Sequence, residues 1–201
     1  MKTLLLDIGN VLVGFDFGRA RPKFQAASTA TGDPLERLAE LKYDLEIGAI
    51  DGDAFVSAGM KTLGFQKSAA DFRRIWEEIF TPIDAMWEVV LKARATHRLL
   101  LLSNTSDIHK DHLFRDYSIF RHFSGGIYSY SSHCLKPDPL IFRKAIEEYS
   151  LVPEETLYVD DLEDNVHVAA GAGFAAVRYD PAAHDAFLTE ARALGLRLPE
   201  D

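Results

Sequence analysis

The sequence predicts an α/β protein built on a parallel sheet, and three observations indicate this fold class. Short runs such as 99–102 and 156–159 contain almost no polar side chain, which is typical of strands buried on both faces. Beyond about Met86 these runs alternate with segments of helical periodicity, as parallel βαβ crossovers require. Between residues 17 and 80 only helical periodicity is visible, so we expect an all-helical insertion after the first strand.

The predicted elements follow in order along the chain. Strands of the sheet are expected at 4–6, 98–102, 126–129, 156–159 and 174–177. Helices between and after them are expected at 87–95, 107–117, 139–149, 164–172 and 183–194. The third of these helices has the clearest start, because Asp138 can cap it and Pro139 suits its first position. Helical stretches of the insertion are expected near 19–29, 34–47, 51–63 and 68–80.

The composition limits which functions and locations fit this chain. With 201 residues and 47% apolar side chains, it can form one large domain or a core with a modest insertion. The formal net charge of −9 argues against nonspecific binding to nucleic acid or to an acidic membrane surface. No stretch approaches the ~20 apolar residues of a membrane span. The single Cys134, expected to be a small buried apolar residue, fits a reducing compartment, so we expect a cytoplasmic protein.

Aspartates follow the first and the fourth predicted strands. Asp7 ends the N-terminal apolar run, and Asp160 and Asp161 end the run at 156–159. In an open α/β sheet, ligands bind outside the carboxyl ends of the strands, so these acids can converge on one point. Converging carboxylates need a cation or a shared proton, and Mg²⁺ is the natural partner. The alternative is that an aspartate after a strand simply caps a turn.

Two further segments carry groups that suit an anion. Ser103 and Asn104 follow the strongest predicted strand, and their hydroxyl, amide and backbone N–H groups can bind phosphate at a helix N-terminus. Thr105 or Ser106 can equally cap that helix, and both roles are compatible. Lys136 lies in a proline-stiffened loop before a capped helix, which suits a positioned cation, although a lone lysine is usually a solvated surface charge.

Taken together, these segments resemble the four motifs of the haloacid dehalogenase (HAD) superfamily. The motifs are DIGNV at Asp7, SNTS at Ser103, KPDP at Lys136 and VDD at Asp160 and Asp161, and they span nearly the whole chain. The amino-acid sequences of these motifs are most similar to those of a subgroup that includes bacterial glucose-1-phosphatases and the N-terminal phosphatase of soluble epoxide hydrolase. The resemblance implies a Rossmann-like three-layer core formed by 1–16 and 82–201. It also implies a small all-helical type-1 cap, formed by 17–81 and inserted after the first strand.

The resemblance also implies a role for each motif. Asp7 would attack phosphorus and form an aspartyl-phosphate. Mg²⁺ would be held by the Asp7 carboxylate, the Gly9 carbonyl and Asp161, with Asp160 as a further ligand or just behind the ligands.

The phosphoryl oxygens would be bound by the remaining two motifs. Ser103 and the backbone N–H of Asn104 would hold them, and Lys136 would neutralise both Asp7 and the phosphate. This assignment agrees with the general finding that phosphoryl transfer depends mostly on positioning and charge stabilisation.

Gly9 departs from the pattern of most phosphatases in this superfamily, which carry a second aspartate there as the general acid and base. General acid–base help is typically worth ~10²–10⁴ in rate. One interpretation is a substrate with a good leaving group, such as an anomeric or acyl phosphate. A second is a proton from another residue, with Asp16 favoured over His109 and His133. The third is a catalytically feeble protein.

The function that the sequence predicts is a Mg²⁺-dependent phosphatase for a small phosphorylated metabolite, with a sugar phosphate favoured. The alternative is a weak or inactive HAD-like protein that binds a phosphometabolite or a partner. Metal-independent dehalogenation is disfavoured by the paired acids Asp160 and Asp161. No nucleic-acid or membrane partner is expected, and the sequence does not set the oligomeric state. Candidates for substrate selection by the cap are Tyr43, Ile47, Met60 and Trp76.

Overall fold

The structure is a computed structural model that describes residues 1–199. Seven strands occur in this range: β1 (Thr3–Leu6), β2 (Val13–Phe15), β3 (Phe80–Pro82), β4 (Arg98–Ser103), β5 (Gly126–Tyr128), β6 (Thr156–Asp160) and β7 (Ala175–Arg178). Eleven α-helices occur in the same range: α1 (Arg21–Ala27), α2 (Pro34–Arg37), α3 (Ala39–Glu46), α4 (Gly52–Leu63), α5 (Ala69–Glu77), α6 (Asp84–Ala93), α7 (Asp107–Asp116), α8 (Ser129–Ser132), α9 (Pro139–Tyr149), α10 (Glu163–Gly171) and α11 (His184–Ala193).

Five of the strands form one parallel sheet in the order β5-β4-β1-β6-β7. The central strand β1 is paired on both sides, with Leu5 opposite Leu100 of β4 and opposite Tyr158 of β6. Every residue of β1 and β6 is buried, and so is every residue of β4 after Arg98. The prediction of strands buried on both faces is therefore confirmed.

Helices cover both faces of this sheet, so the core has three layers. Successive residues of β1 point to opposite faces, as the pleat of a strand requires. Leu4 and Leu6 belong to one apolar cluster, which includes Val90 of α6. Leu5 belongs to another cluster, which includes Phe142 of α9. The predicted fold class, an α/β Rossmann-like core with a parallel sheet, is confirmed.

Helices α1–α5 form an insertion that packs around an apolar centre of its own, and we call it the cap. Aromatic rings dominate this centre: the Phe24 and Phe72 centroids lie 4.8 Å apart, and those of Phe55 and Trp76 lie 4.7 Å apart. Ile108 of α7 joins the same cluster. The cap therefore rests on the core just beyond the carboxyl end of β4.

A two-stranded antiparallel ribbon of β2 and β3 joins the cap to the core, with Phe15 opposite Phe80. Sequence analysis missed this ribbon, because a strand of three residues gives too short a pattern to distinguish from a loop. The helix expected at 68–80 ends at Glu77 instead, since the residues that follow it enter β3. The chain thus enters and leaves the cap through neighbouring strands.

Candidate active site

The order of the strands brings three predicted site residues to one edge of the sheet. Asp7 directly follows the central strand β1, and its N–H donates to the Val159 carbonyl of β6 over 2.9 Å. Ser103 ends β4 on one side of β1, and Asp160 ends β6 on the other. All of these side chains are buried. Parallel neighbours end at the same edge, so this convergence follows from the topology.

Lys136 reaches into this edge from the loop before α9, and its side chain is 1% exposed. Its Nζ lies 2.6 Å from Asp160 Oδ2 and 2.9 Å from Asp7 Oδ1. It also donates to the Leu102 carbonyl over 3.0 Å. Burial disfavours the charged form, but the two carboxylates outweigh it and raise the pKa of Lys136. The ammonium is therefore permanently charged at neutral pH.

Asp160 is fully buried, and both of its carboxylate oxygens accept hydrogen bonds. Oδ2 accepts from Lys136 Nζ and from the Tyr158 hydroxyl, and Oδ1 accepts from Asn165 Nδ2 and the Leu162 N–H, each over 2.9 Å. Burial alone would raise the pKa of Asp160, but the charge and hydrogen bond of Lys136 outweigh it and lower this pKa. Asp160 is thus an ionised group whose lone pairs hold Lys136 in place.

Asp161 is half-buried and is oriented by a residue whose role the sequence did not reveal. Asn10 Nδ2 donates to Asp161 Oδ2 over 3.0 Å, and the Asn10 N–H donates to the Val13 carbonyl over 2.7 Å. Asn10 has a φ of 53°, a left-handed conformation that asparagine tolerates better than most residues. The only sequence signal for this role was an amide side chain shortly after a strand-end aspartate.

The carboxylate oxygens of Asp7, Asp160 and Asp161 lie within 4.8 Å of one another. Lys136 compensates one of these charges, so the cluster retains two negative charges. Asp7 Oδ1 is buried, and among the described residues no donor is aligned for a hydrogen bond to it, although Lys136 Nζ is close. Burial raises the pKa of Asp7 to about 6. A hard divalent cation fits this set of oxygen ligands, because it would supply the missing positive charge.

The Asn104 side chain is occupied by Lys136 rather than free for a ligand. Its Nδ2 donates to the Lys136 carbonyl over 3.0 Å, and its Oδ1 accepts from the Lys136 N–H over 2.8 Å. The Thr105 N–H donates to Ser129 Oγ over 2.9 Å. For an anion, this loop can therefore offer the Ser103 hydroxyl and the Asn104 backbone N–H. Ser106 caps α7 by accepting from the His109 N–H, as the capping interpretation expected.

A cavity of about 300 Å³ lies between this edge and the cap. Its size is at the small end of the range for ligand pockets. Most of its lining is apolar, with four aromatic or aliphatic side chains from the ribbon and the cap entrance. The lining residues are Ile8, Gly9, Phe15, Phe17, Lys42, Glu46, Ile79, Phe80, Ser103, Asn104, Thr105, His109, Leu113 and Leu162. A small molecule in this cavity would contact both the core and the cap.

The space beside Gly9 is filled by the Phe15 ring. A Cβ added at position 9 would lie 2.9 Å from Phe15 Cε1, closer than such contacts normally come. A side chain at this position would therefore displace the ring. Position 9 thus carries no general acid, and the Phe15 ring occupies the volume that the side chain of such an acid would need.

Of the three alternative proton donors, only His109 is among the described residues that line the cavity. Asp16 is exposed, and its Oδ1 accepts from the Gly18 N–H over 2.7 Å. His133 is also exposed, with Nδ1 3.1 Å from the Ile47 carbonyl oxygen.

His109 is held as a neutral ring. It stacks on Trp76 at 5.6 Å with an interplanar angle of 10°, and its Nε2 lies 3.0 Å from the Trp76 carbonyl oxygen. Burial lowers the pKa of His109 to about 4, because the charged imidazolium would lose its hydration there. At neutral pH it therefore carries no acidic imidazolium proton.

The four cap residues expected to select the substrate are not among the described lining residues. Tyr43 is 55% exposed, and Trp76 is buried in the apolar centre of the cap. The polar cap residues that do line the cavity are Lys42 and Glu46. Sequence analysis could not single them out, because their spacing is that of any ion pair on a helix surface.

The fold and the site together define a hydrolase with a Rossmann-like core and a helical cap. Residues 1–173 match the haloacid dehalogenase-like hydrolase family, and the chain belongs to this family. The predicted membership of the haloacid dehalogenase superfamily is therefore confirmed.

Several relatives are similar over most of the chain. D-ribitol-5-phosphate phosphatase of Bacteroides thetaiotaomicron is 26% identical over 189 residues, which cover 87% of this chain and 89% of the relative. A solved HAD-family enzyme of the same organism, in complex with magnesium and inorganic phosphate, has 26% identity and a TM-score of 0.80. That match covers 90% of this chain and 95% of the other. The L-2-haloacid dehalogenase of Xanthobacter autotrophicus, at 18% identity and a TM-score of 0.63 over 98% of this chain and 84% of the other, shares the fold.

Proposed function

We propose that this protein is a Mg²⁺-dependent phosphatase that hydrolyses a small phosphorylated metabolite, with a sugar or polyol phosphate favoured. The observation that carries the proposal is the ion pair of Lys136 with both Asp7 and Asp160, beside Asp161, at the sheet edge whose Gly9 and Ser103 line the cavity. The named activity of the relative from Bacteroides thetaiotaomicron supports a phosphorylated polyol. The magnesium and phosphate complex of the similar enzyme supports the metal.

Asp7 is the nucleophile in this proposal. One of its carboxylate oxygens attacks phosphorus, the bond from phosphorus to the leaving oxygen breaks, and the leaving oxygen takes a proton from solvent water. Water then cleaves the aspartyl-phosphate and restores the carboxylate. The nucleophile must be ionised, and with a pKa of about 6 Asp7 is mostly ionised at neutral pH.

Lys136 and the loop after β4 supply the electrostatic stabilisation. Lys136 is held by Asp160, so its charge is fixed next to Asp7 before the substrate arrives. Ser103 and the Asn104 N–H bind the phosphoryl oxygens. Asp7, Asp161 and the Gly9 carbonyl would hold Mg²⁺, which when bound neutralises charge on the phosphoryl group. With both oxygens of Asp160 already hydrogen bonded, we assign it to orienting Lys136 rather than to the metal.

Non-catalytic binding of a phosphometabolite is the second candidate function. The observation that favours it is Gly9 with the Phe15 ring beside it, where a general acid would stand. The intact arrangement of Asp7 and Lys136 favours turnover, because a binder needs no nucleophile. Dehalogenation is disfavoured by the acidic cluster, which would repel a carboxylate substrate.

Release of inorganic phosphate from a panel of sugar, polyol, acyl and nucleotide monophosphates tests the proposal. The assay uses the wild type and Asp7→Asn, with Mg²⁺ and with EDTA. We expect release that requires Mg²⁺ and disappears in Asp7→Asn. Phosphate binding without release by a folded wild type would move the assignment to the non-catalytic binder. Release that persists in EDTA would contradict the metal requirement.

Location in the cytoplasm and the absence of nucleic-acid partners stay predictions from composition. Within residues 1–199, no helix is both long and apolar enough to cross a bilayer.

A further inference from the structure

We infer that the Lys42–Glu46 ion pair is the part of the cap that recognises the substrate, and that it selects a neutral, polyhydroxylated leaving group. This inference rests on the proposed phosphatase function and assigns specificity to two residues of α3.

Lys42 and Glu46 lie one helical turn apart on α3, with Nζ 2.9 Å from Oε1. Their side chains are only 36% and 23% exposed. Both line the cavity whose floor includes Ser103 and Asn104. A phosphoryl group on that floor would therefore project its organic part towards the pair.

The rest of the upper cavity is apolar or committed to other contacts. Phe15, Phe17 and Phe80 form aromatic walls, and Lys42 Nζ lies 5.4 Å from the Phe17 ring centroid. His109 is neutral, and its Nε2 is engaged with the Trp76 carbonyl. Lys42 and Glu46 are therefore the charged groups that a leaving group in this cavity would meet.

The chemistry of the pair fits hydroxyl groups. One ammonium N–H is used within the pair, which leaves donors on Lys42 and acceptor lone pairs on Glu46. A hydroxyl both donates and accepts, so neighbouring hydroxyls can bind the two residues together. An anionic leaving group would be repelled by Glu46 and a cationic one by Lys42. The C–H faces of a sugar or polyol can pack against the aromatic walls.

Hydrogen bonds to the core position this pair over the cavity when the cap is closed. Ser129 is fully buried, and its Oγ lies 2.6 Å from the Glu46 carbonyl oxygen and accepts from the Thr105 N–H over 2.9 Å. His133 Nδ1 lies 3.1 Å from the Ile47 carbonyl oxygen. The C-terminal end of α3 is thus tied to the same loop that offers Ser103 and Asn104 to phosphate. Preorganisation of this kind lowers the ordering that binding requires.

The competing interpretation is an ordinary helix-surface ion pair with no ligand. The cap offers a matched control in Lys23 and Glu78, which form a 2.7 Å ion pair outside the cavity. Exposed or half-exposed pairs of this kind contribute little to stability, so all the single variants are expected to fold.

The test compares Lys42→Met, Glu46→Gln and the control Lys23→Met with the wild type. The substrates are D-ribitol 5-phosphate, D-glucose 1-phosphate and p-nitrophenyl phosphate, whose leaving group carries no sugar hydroxyl. For the better of the two hydroxylated substrates, we expect KM to rise roughly 10-fold or more in both cavity variants, as loss of a charge-assisted hydrogen bond predicts. With p-nitrophenyl phosphate, and in Lys23→Met, KM should change less than about twofold.

Binding is measured in parallel on an Asp7→Asn background, with D-ribitol 5-phosphate, D-glucose 1-phosphate and inorganic phosphate as titrants. We expect Lys42→Met to weaken the binding of D-ribitol 5-phosphate and D-glucose 1-phosphate and to leave the affinity for inorganic phosphate unchanged. Equal effects on all the substrates, or no effect of either cavity variant, would overturn it. A wild type that hydrolyses nothing would contradict the proposed function, and the binding comparison would still decide the role of the pair.

Discussion

The amide side chain of Asn104 makes two hydrogen bonds to the backbone of Lys136. Its Nδ2 donates to the Lys136 carbonyl, and its Oδ1 accepts from the Lys136 N–H. These two hydrogen bonds join the loop after β4 to the loop before α9. The first loop presents the donors for an anion, and the second presents the buried ammonium. The distance between the two is therefore set before a ligand binds, which is the preorganisation that electrostatic stabilisation of phosphoryl transfer needs.

Replacing Asn104 by alanine should loosen this connection. We expect Asn104→Ala to weaken binding of inorganic phosphate in the presence of Mg²⁺ by roughly 10-fold, because two hydrogen bonds to the Lys136 backbone are lost. Isothermal titration calorimetry measures the effect. Gln66→Ala is the control, since it removes an amide–backbone hydrogen bond in the cap, to the Gly64 carbonyl. Equal phosphate affinity in Asn104→Ala and wild type would contradict the prediction.

Replacing Lys136 by methionine should destabilise the fold. Asp7 and Asp160 would then lose their buried counter-charge, and breaking a buried pair typically costs about 3–5 kcal/mol. Urea unfolding without Mg²⁺ measures the free energy of unfolding. The double variant Lys136→Met/Asp160→Asn should recover part of the loss, because one unpaired charge is removed. Strictly additive losses in the two single variants and the double variant would argue that the pair is not coupled.

His109 should make the protein less stable in mild acid. Its pKa is about 4 in the folded protein and 6.5 in its ordinary state, so between these values the unfolded chain binds a proton that the folded protein does not. The His109 contribution is thus fully present above pH 6.5 and is lost as the pH falls towards 4. The loss would be at most about 3 kcal/mol.

Urea unfolding of His109→Gln and wild type at several pH values from 7 to 4.5 checks this prediction. The variant should be less stable than the wild type at pH 7 but should lose less stability on acidification. His167→Gln, at an exposed histidine, serves as the control and should keep the wild-type slope. Parallel pH profiles for His109→Gln and wild type would be inconsistent with a neutral buried ring.

An acid introduced at position 9 should work better if Phe15 is made smaller. Gly9→Asp alone places its side chain against the Phe15 ring, which must move aside, so its gain in activity should be smaller than that of the double variant. In Gly9→Asp/Phe15→Ala the carboxyl has room, and turnover of an alkyl phosphate should exceed that of Phe15→Ala by up to ~10²-fold. Measured kcat values for an alkyl phosphate and for p-nitrophenyl phosphate test this. A gain that is equal for both substrates would exclude proton donation to the leaving group as its cause.

The residues at the edge of the sheet were predictable because two simple rules combine there. An apolar run that stops at a polar residue marks a strand end, and parallel topology brings such ends together. Asp7, Ser103 and Asp160 were placed in this way. Lys136 follows no strand directly, and it was singled out by its proline-stiffened loop and by the motif resemblance.

What the sequence could not predict depends on orientation in three dimensions. Asp160 and Asp161 are adjacent and chemically identical, yet one faces Lys136 and the other Asn10, because successive side chains point in different directions at a strand end. Lys42 and Glu46 resemble any helical ion pair until the packing of α3 directs them to the cavity. Side-chain direction of this kind is set by tertiary packing and not by local pattern.

The ribbon of β2 and β3 has a mechanical consequence. Both covalent connections of the cap pass through this one ribbon, whereas α3 on the cap is held to the core by single hydrogen bonds, such as the one at Ser129. The ribbon can therefore act as a hinge, and the contacts at Ser129 and His133 hold the opposite side of the cap against the core. Opening then requires these hydrogen bonds to break and Ile108 and His109 of α7 to separate from the cap, while the apolar residues of helices α1–α5 stay packed on one another. Substrate entry and product exit can thus occur by a swing of a rigid body rather than by local unfolding.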